Sequence, residues 1–153
     1  ILAVAQGTVR LAYGTLGHNP PSAIETVTLW REKLVPLVAL RHAEPHPPTL
    51  HALAQRLPVI APAAHTSTRQ AIDIWLNAQK ITPLAVIEVN QLDSIALLVG
   101  TGIGWSILPE TLQNSGLARL SDRSETLPER QLGLITQKKR PLHRLAQAFM
   151  ACV

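Results

Sequence analysis

The sequence has little cysteine, few aromatic residues and few charges. Of its 153 residues, one is cysteine, 3% are aromatic and 16% are charged, whereas 46% are hydrophobic. The single cysteine, Cys152, excludes an internal disulfide and a cysteine-based zinc or iron–sulfur site, and it favours a reducing, cytoplasmic location. The low charge and the many aliphatic residues exclude a disordered or coiled-coil chain and predict a globular protein.

Long apolar runs are also missing. No stretch reaches the roughly 18 apolar residues that a membrane span needs. No basic segment followed by an apolar one opens the chain, as it would in a signal peptide. We therefore expect neither a membrane partner nor export.

The net charge of +4 raises nucleic acid as a partner, but the distribution of the basic residues weakens that interpretation. The densest basic run is Lys138, Lys139 and Arg140, followed by Arg144. No aromatic residue that could stack on a base lies between them. We interpret this run as a solvated rim.

Helix and strand signals alternate along the chain. Residues 67–80 have apolar side chains at helical spacing, and Pro141 is typical of the first turn of a terminal helix. Because helices and strands alternate, we expect an α/β fold with a parallel-rich sheet covered by helices. The strand candidates are residues 8–13, 57–62, 81–89, 105–109, 117–120 and 130–136.

Residues 26–40 have two β-rich runs around a charged segment, Arg31 to Lys33. This pattern predicts two crossing strands joined by a turn. Pro36 has no N–H to donate, which disfavours a central position in a sheet for the second strand.

Three histidines, His42, His46 and His51, have a spacing that could hold a metal only if one helix or tight turn presented them together. Prolines at 45, 47 and 48 interrupt such a helix. We expect surface and turn histidines, no metal and no cofactor. A metal-dependent enzyme stays a third alternative, which would require stoichiometric zinc. No G-x-S-x-G motif is present, so hydrolytic chemistry has no support.

Glycines 100, 102 and 104 superficially resemble a phosphate-binding loop. They follow a predicted helix and precede a predicted strand, which is the reverse of a dinucleotide-binding fingerprint. A helix stop that lets the next strand pack closely is therefore the favoured interpretation.

Residues 62–69 lie where a strand ends and a helix begins, the place where open α/β sheets bind ligands. The adjacent hydroxyls of Thr66, Ser67 and Thr68, together with free backbone N–H groups and Arg69, suit a small anion. Ordinary capping of the helix by Thr66 or Ser67 explains the same residues equally well. Residues 14–18, with the hydroxyl of Thr15, are expected to form a second such strand end, which favours a ligand cleft.

Several motifs, in this order, resemble those of the effector-binding domain of LysR-type transcriptional regulators. The segment AVAQGTVRLAYGT, residues 3–15, is similar to a helix, glycine and strand motif of that family, with Arg10 in place of its usual acidic residue. His46-Pro47 resembles the family's H-P-L. The strongest resemblance is VIEVNQLDSIALLVGTGIGWSILPETL, residues 86–112, which matches a family stretch in order and spacing.

The resemblance implies an α/β fold of two Rossmann-like subdomains joined by crossover strands, like the type II periplasmic binding proteins. Regulatory subdomain I would comprise residues 1–25 and 130–153, and subdomain II residues 26–129. The first β-α-β unit of subdomain I and the N-terminal winged helix-turn-helix that binds DNA are expected to be absent from this chain.

The resemblance also implies a function without catalysis. A small, anionic metabolite would bind between the subdomains and control DNA binding and transcription by a homo-oligomer, a dimer or a tetramer. The solute-binding protein of a transporter is the alternative. The residues expected to contact the effector are Thr15, Leu16, Pro62, Ala63, His65, Thr66, Ser67, Thr68 and Gly102.

Overall fold

The computed structural model describes residues 1–17, 19–120, 126–138, 140–142 and 144–152, so His18 of the predicted second strand end and Lys139 of the basic run lie outside it. The chain forms two compact units. Unit 1 contains Ile1–Glu32 and Arg130–Val153, and unit 2 contains Lys33–Glu129.

Unit 1 is built on antiparallel strands. Strand β1 pairs with β7 in a register that runs from Leu11 opposite Thr136 to Leu16 opposite Gln131, and β7 also neighbours β2. Val4, Leu16, Ile24 and Ile135 form its small buried core. The elements are α1 (Leu2–Ala5), β1 (Leu11–Leu16), the first part of β2 (Ile24–Ala39), β7 (Glu129–Gln137) and α6 (Arg144–Ala151).

Unit 2 contains the larger sheet. Its strands follow the order β2-β5-β3-β4, and β6 also pairs with β2. Besides the second part of β2, its elements are α2 (Leu40–Ala43), α3 (Leu50–Ala54), β3 (Val59–Ala61), α4 (Ser67–Ala78), β4 (Val86–Glu88), α5 (Leu92–Gly100), β5 (Trp105–Pro109), a 3₁₀ helix (Glu110–Leu112) and β6 (Leu117–Arg119).

Alternate residues of each strand point to opposite faces of a sheet. Apolar side chains lie on both faces of the unit 2 sheet, and helices cover both. In β2, Leu34 and Val38 pack in the cluster that contains Ile72 of α4. Val35 and Leu37 pack in a second cluster with Ile95 of α5. The result is the three-layer α/β arrangement that the alternating pattern predicts.

The prediction of two crossing strands in residues 26–40 is wrong, because β2 is one strand of 16 residues. Pro36 lies inside this strand, opposite Ile107 of β5. Its carbonyl accepts a hydrogen bond from the N–H of Leu120, so its missing N–H would face the β6 side. The paired register with β6 runs only from Leu37 to Ala39, so Pro36 lies at the end of this pairing, where a missing N–H is tolerated.

The expected parallel-rich sheet is also not found. Among the strand pairs whose register the structure describes, β3 is parallel to β4 and β5. The pairs β1 with β7, β2 with β5 and β2 with β6 are antiparallel. Strand β2 takes part in two of these antiparallel pairs, and β7 takes part in the third.

Strand β1 begins and ends three residues later than the predicted strand 8–13. Thr15 and Leu16 are therefore inside β1, where they pair with Leu132 and Gln131, and not in a loop after it. Within the described ranges, no helix is long and apolar enough to cross a membrane.

The first division between the units falls after Glu32, seven residues beyond the predicted boundary after residue 25. Strand β2 is unbroken at both positions, so the division falls within a strand. The assignment of the units to regulatory subdomains I and II stays a prediction.

Candidate functional site

The loop between β3 and α4 is held by hydrogen bonds of Thr66. The Thr66 hydroxyl donates to the carbonyl of Ala63 at 2.9 Å and accepts from the N–H of Arg69 at 3.2 Å. Thr66 is thus the N-cap of α4, and its hydroxyl is already occupied on both sides. The capping interpretation holds for this residue.

The next two residues leave polar groups free at the start of α4. Within the parts of the chain that the structure describes, the N–H groups and hydroxyls of Ser67 and Thr68 have no hydrogen-bond partner. Ser67 is half-buried, whereas the Thr68 side chain is only 5% exposed. Free N–H groups at the positive end of a helix dipole favour an anion.

Arg69 does not offer its charge to this end of the helix. Its Nε donates to Asp73 at 2.8 Å, and its Nη1 donates to the Pro62 carbonyl at 3.0 Å and to Glu88 at 3.4 Å. With 12% of its side chain exposed, it connects α4 to the ends of β3 and β4. Two carboxylates neutralise it, so the local field at the helix start comes from the backbone.

Arg69 and Asp73 also line a cavity of about 230 Å³ beside α4. Asn77 and Thr82 contribute its other polar groups, and the remaining walls are apolar side chains and a proline. Because the Arg69 charge is compensated, this cavity has no net attraction for an anion.

Gly102 lies at the opposite end of the sheet from the β3–α4 loop. Strands β3 and β5 are parallel, with Val59 opposite Trp105. Gly102 precedes the start of β5, whereas the loop follows the end of β3. Its neighbours are Arg41, which donates to the carbonyl of Thr101, and His42, whose Nε2 is 2.9 Å from the Gly102 carbonyl oxygen.

A family model described as the LysR substrate binding domain matches residues 1–153 of this chain. The chain belongs to this family. The LysR substrate-binding domain is a regulatory effector-binding domain of transcriptional regulators. No curated protein matches the sequence closely enough to count as a relative.

Solved structures have the same fold as this LysR substrate-binding domain. The regulatory domain of CcmR from Synechocystis PCC6803, in complex with 2-PG, is 18% identical, with a TM-score of 0.78 over 99% of this chain and 74% of that one. The effector binding domain of QuiR in complex with shikimate is 23% identical, with a TM-score of 0.79 over 98% and 72%. The full-length HypT of Salmonella typhimurium is 15% identical, with a TM-score of 0.76 over 98% and 52%.

These matches confirm the family resemblance, the α/β fold of the type II periplasmic-binding-protein kind and the ligand-sensing regulatory function predicted from the sequence. The transporter alternative is less supported.

Within unit 2, the residues predicted to contact an effector in this LysR substrate-binding domain fall into two groups. Pro62, Ala63, His65, Thr66, Ser67 and Thr68 lie together at the start of α4. Gly102 lies at the other end of the same sheet, and Thr15 and Leu16 belong to unit 1. Leu16 is a core side chain, so its contact with a ligand could involve only its backbone.

Two arginines of unit 2, Arg41 and Arg56, were not predicted as site residues from the sequence. Arg41 and Arg56 line a second cavity with His42 and His46. These four basic or imidazole residues occur within 16 positions of the sequence, which is the signal that could have indicated them, but only the fold brings them around one cavity. Among the described residues, no group of three or more His, Cys, Asp or Glu side chains lies close enough to hold a metal ion.

Proposed function

We propose that this chain senses a small anionic metabolite at the N-terminus of α4. The observation that carries the proposal is the set of free N–H and hydroxyl groups of Ser67 and Thr68 at the start of a 12-residue helix. Anions bind at such helix ends because the N–H groups point outward and the helix dipole is positive there.

The roles of the neighbouring residues differ. Thr66 shapes the loop by capping α4, and Ser67 presents both its N–H and its hydroxyl to the ligand. Pro62 and Ala63 are buried, so they position the loop, whereas His65 is exposed beside it. Support for a small-molecule ligand comes from the relatives, since CcmR and QuiR have structures in complex with 2-PG and shikimate.

We further propose properties that membership of this family favours. The chain performs no catalysis, acts in the cytoplasm where the DNA is, and reaches DNA through another domain of the intact regulator. It forms a homo-oligomer. Support comes from the membership of the chain in a family of transcriptional regulator domains.

A substitution series tests the effector site. A thermal-shift screen of small carboxylates, amino acids and inorganic anions first identifies a ligand, which at 100 times its dissociation constant stabilises the folded chain by about 2.7 kcal/mol. The affinity of that ligand and the free energy of unfolding are then measured for Ser67→Ala and Thr66→Ala. Ser94→Ala, at a half-buried serine of α5, is the matched control.

The two site variants should change different quantities, one the ligand affinity and the other the free energy of unfolding. Ser67→Ala should weaken ligand binding by roughly tenfold to a hundredfold, because it removes a charge-assisted hydrogen bond. Thr66→Ala should lower the free energy of unfolding by about 1 kcal/mol through the lost cap. Ser94→Ala should leave affinity unchanged. Unchanged affinity in Ser67→Ala would rule out this serine hydroxyl as a ligand contact, and unchanged affinity in Thr68→Ala as well would remove both free hydroxyls of the α4 N-terminus from the effector site.

A further inference from the structure

We propose that unit 2 contains a second anion site, a cationic pocket at the end of the sheet opposite the α4 N-terminus, which binds a small dianion. The pocket has a volume of about 350 Å³ and is lined by Arg41, His42, Glu44, His46, Arg56 and three apolar residues. Its size is in the range of small-molecule sites. It goes beyond the proposed effector site, with which it shares no residue.

Arg41 is fixed on one side of the pocket. Its Nη2 donates to the carbonyl of Thr101. The guanidinium lies directly against Gly102, whose φ is +76° and where a Cβ would overlap the guanidinium. One hydrogen bond and a glycine surface therefore hold the group, while its other N–H donors are left for a ligand.

His42 is oriented by the same segment. Its Nε2 lies 2.9 Å from the carbonyl oxygen of Gly102. Because a carbonyl only accepts hydrogen bonds, Nε2 carries the proton and donates, which fixes the orientation of the ring. The pocket wall is thus tied at two points to Thr101 and Gly102.

Neither arginine of the pocket forms an ion pair within the described part of the chain. Arg69 and Arg119 of the same unit each pair with a carboxylate. Arg41 and Arg56 have no such partner there, although Glu44 lines the same pocket. The two guanidinium groups outnumber the single carboxylate, so this concave surface is positive and attracts an anion.

Two guanidinium groups favour a particular ligand chemistry. Each can donate two parallel hydrogen bonds to an oxyanion, which suits phosphate and carboxylate groups. The shared chemistry is a compact dianion, either a phosphate group or a small dicarboxylate, and the two sources are distinguished by titrating inorganic phosphate and succinate separately.

The experiment is a titration of the 153-residue chain with each probe. Binding is measured by calorimetry and by the shifts of the amide resonances of the protein. Sodium chloride at matched ionic strength is the solvent control. Arg56→Gln is the test variant, because the Arg56 guanidinium has no hydrogen bond or ion pair among the described residues, so the substitution removes a charge without breaking a polar contact. Arg31→Gln, at an exposed arginine of β2 outside the pocket, is the matched charge control.

We expect saturable binding of at least one probe, with resonance shifts at Thr101 and Gly102. Arg56→Gln should lower the affinity for that probe about tenfold, and Arg31→Gln should change the affinity less than twofold. Glu44→Gln should tighten it several-fold, since it removes the one carboxylate that lines the pocket.

Three results would overturn the second site: no saturable binding of either probe, equal affinity in Arg56→Gln and the unchanged chain, or resonance shifts confined to residues 66–69. The last result would support the effector site instead. Ser67→Ala serves to keep the two proposals apart, because it should leave probe binding at the cationic pocket unchanged even if the effector proposal fails.

Discussion

At the scale of single residues, close backbone approaches decide which side chains the site region accepts. Gly104 lies where the chain enters β5 beside the start of β3. A Cβ at Gly104 would lie 2.6 Å from the carbonyl oxygen of Pro58 and 2.9 Å from Cγ1 of Ile60. The carbonyl belongs to the backbone and cannot move away cheaply, so this position requires glycine.

Gly104→Ala should therefore lower the free energy of unfolding by roughly 1–3 kcal/mol, the usual cost of overpacking. Gly100→Ala is the control, because a Cβ there meets nothing within 4 Å. That variant should be neutral or up to about 1 kcal/mol more stable. Urea unfolding of both variants checks the pair, and equal stability would contradict the close approach of β3 and β5.

Some of the side-chain contacts around the start of α4 could be predicted from the sequence, and others could not. Thr66 could be proposed as a cap because its type and its place before a helical pattern are local information. The pairing of Arg69 with Asp73 is also visible as a spacing of four residues. The second carboxylate, Glu88, could not be predicted, since it reaches Arg69 only because β4 lies beside β3.

At the scale of elements, an ion pair joins the two long strands where unit 1 ends. Arg130, the first residue of the second segment of unit 1, donates from Nε and Nη2 to Oε2 of Glu32, the last residue of the first segment, at 2.8 and 2.7 Å. The two side chains are only 14% and 16% exposed. Partial burial makes this contact stronger than a surface pair, because solvent screens it less.

A double-mutant cycle with Arg130→Met and Glu32→Gln should give a coupling energy of about 1–2 kcal/mol. The exposed pair of Arg119 and Glu110, 41% and 50% exposed, provides the comparison, with an expected coupling below about 0.5 kcal/mol. Chemical unfolding of the four chains in each cycle gives both values. A coupling at Arg130 no larger than at Arg119 would mean that the pair between β2 and β7 does not stabilise unit 1.

At the scale of the whole molecule, the edge strand β4 favours association between copies. Its residues are exposed, Val86 and Ile87 among them, and in the described strand order β4 pairs only with β3. An exposed apolar edge offers unpaired backbone groups and apolar area to a second chain.

We expect the chain to self-associate at micromolar concentration and Ile87→Lys to shift it towards the monomer, because a charge opposes pairing at a strand edge. Leu97→Lys, at an exposed leucine of α5, is the control and should leave the association unchanged. Sedimentation velocity over a range of concentrations checks this. A monodisperse monomer would contradict self-association, and equal behaviour of the two variants would assign the contact to another surface.

Much of the fold followed from the order of local patterns. The amphipathic helix α4, the buried strand β5 and the loop between β3 and α4 each follow from the spacing of nearby apolar and polar residues. These patterns suffice because side-chain periodicity records which face of an element is buried. The family likewise followed from motifs whose order extends along most of the chain.

The sequence by itself therefore determined the α/β class, the family and the candidate loop at the start of α4. Only the tertiary structure decided that β2 continues through Pro36, that β2 and β5 run antiparallel, and that Gly102 lies against Arg41. The physical reason is that periodicity describes how one segment meets its surroundings, whereas strand direction and the pairing of charges depend on segments far apart in sequence. The cationic pocket depends on such long-range contacts.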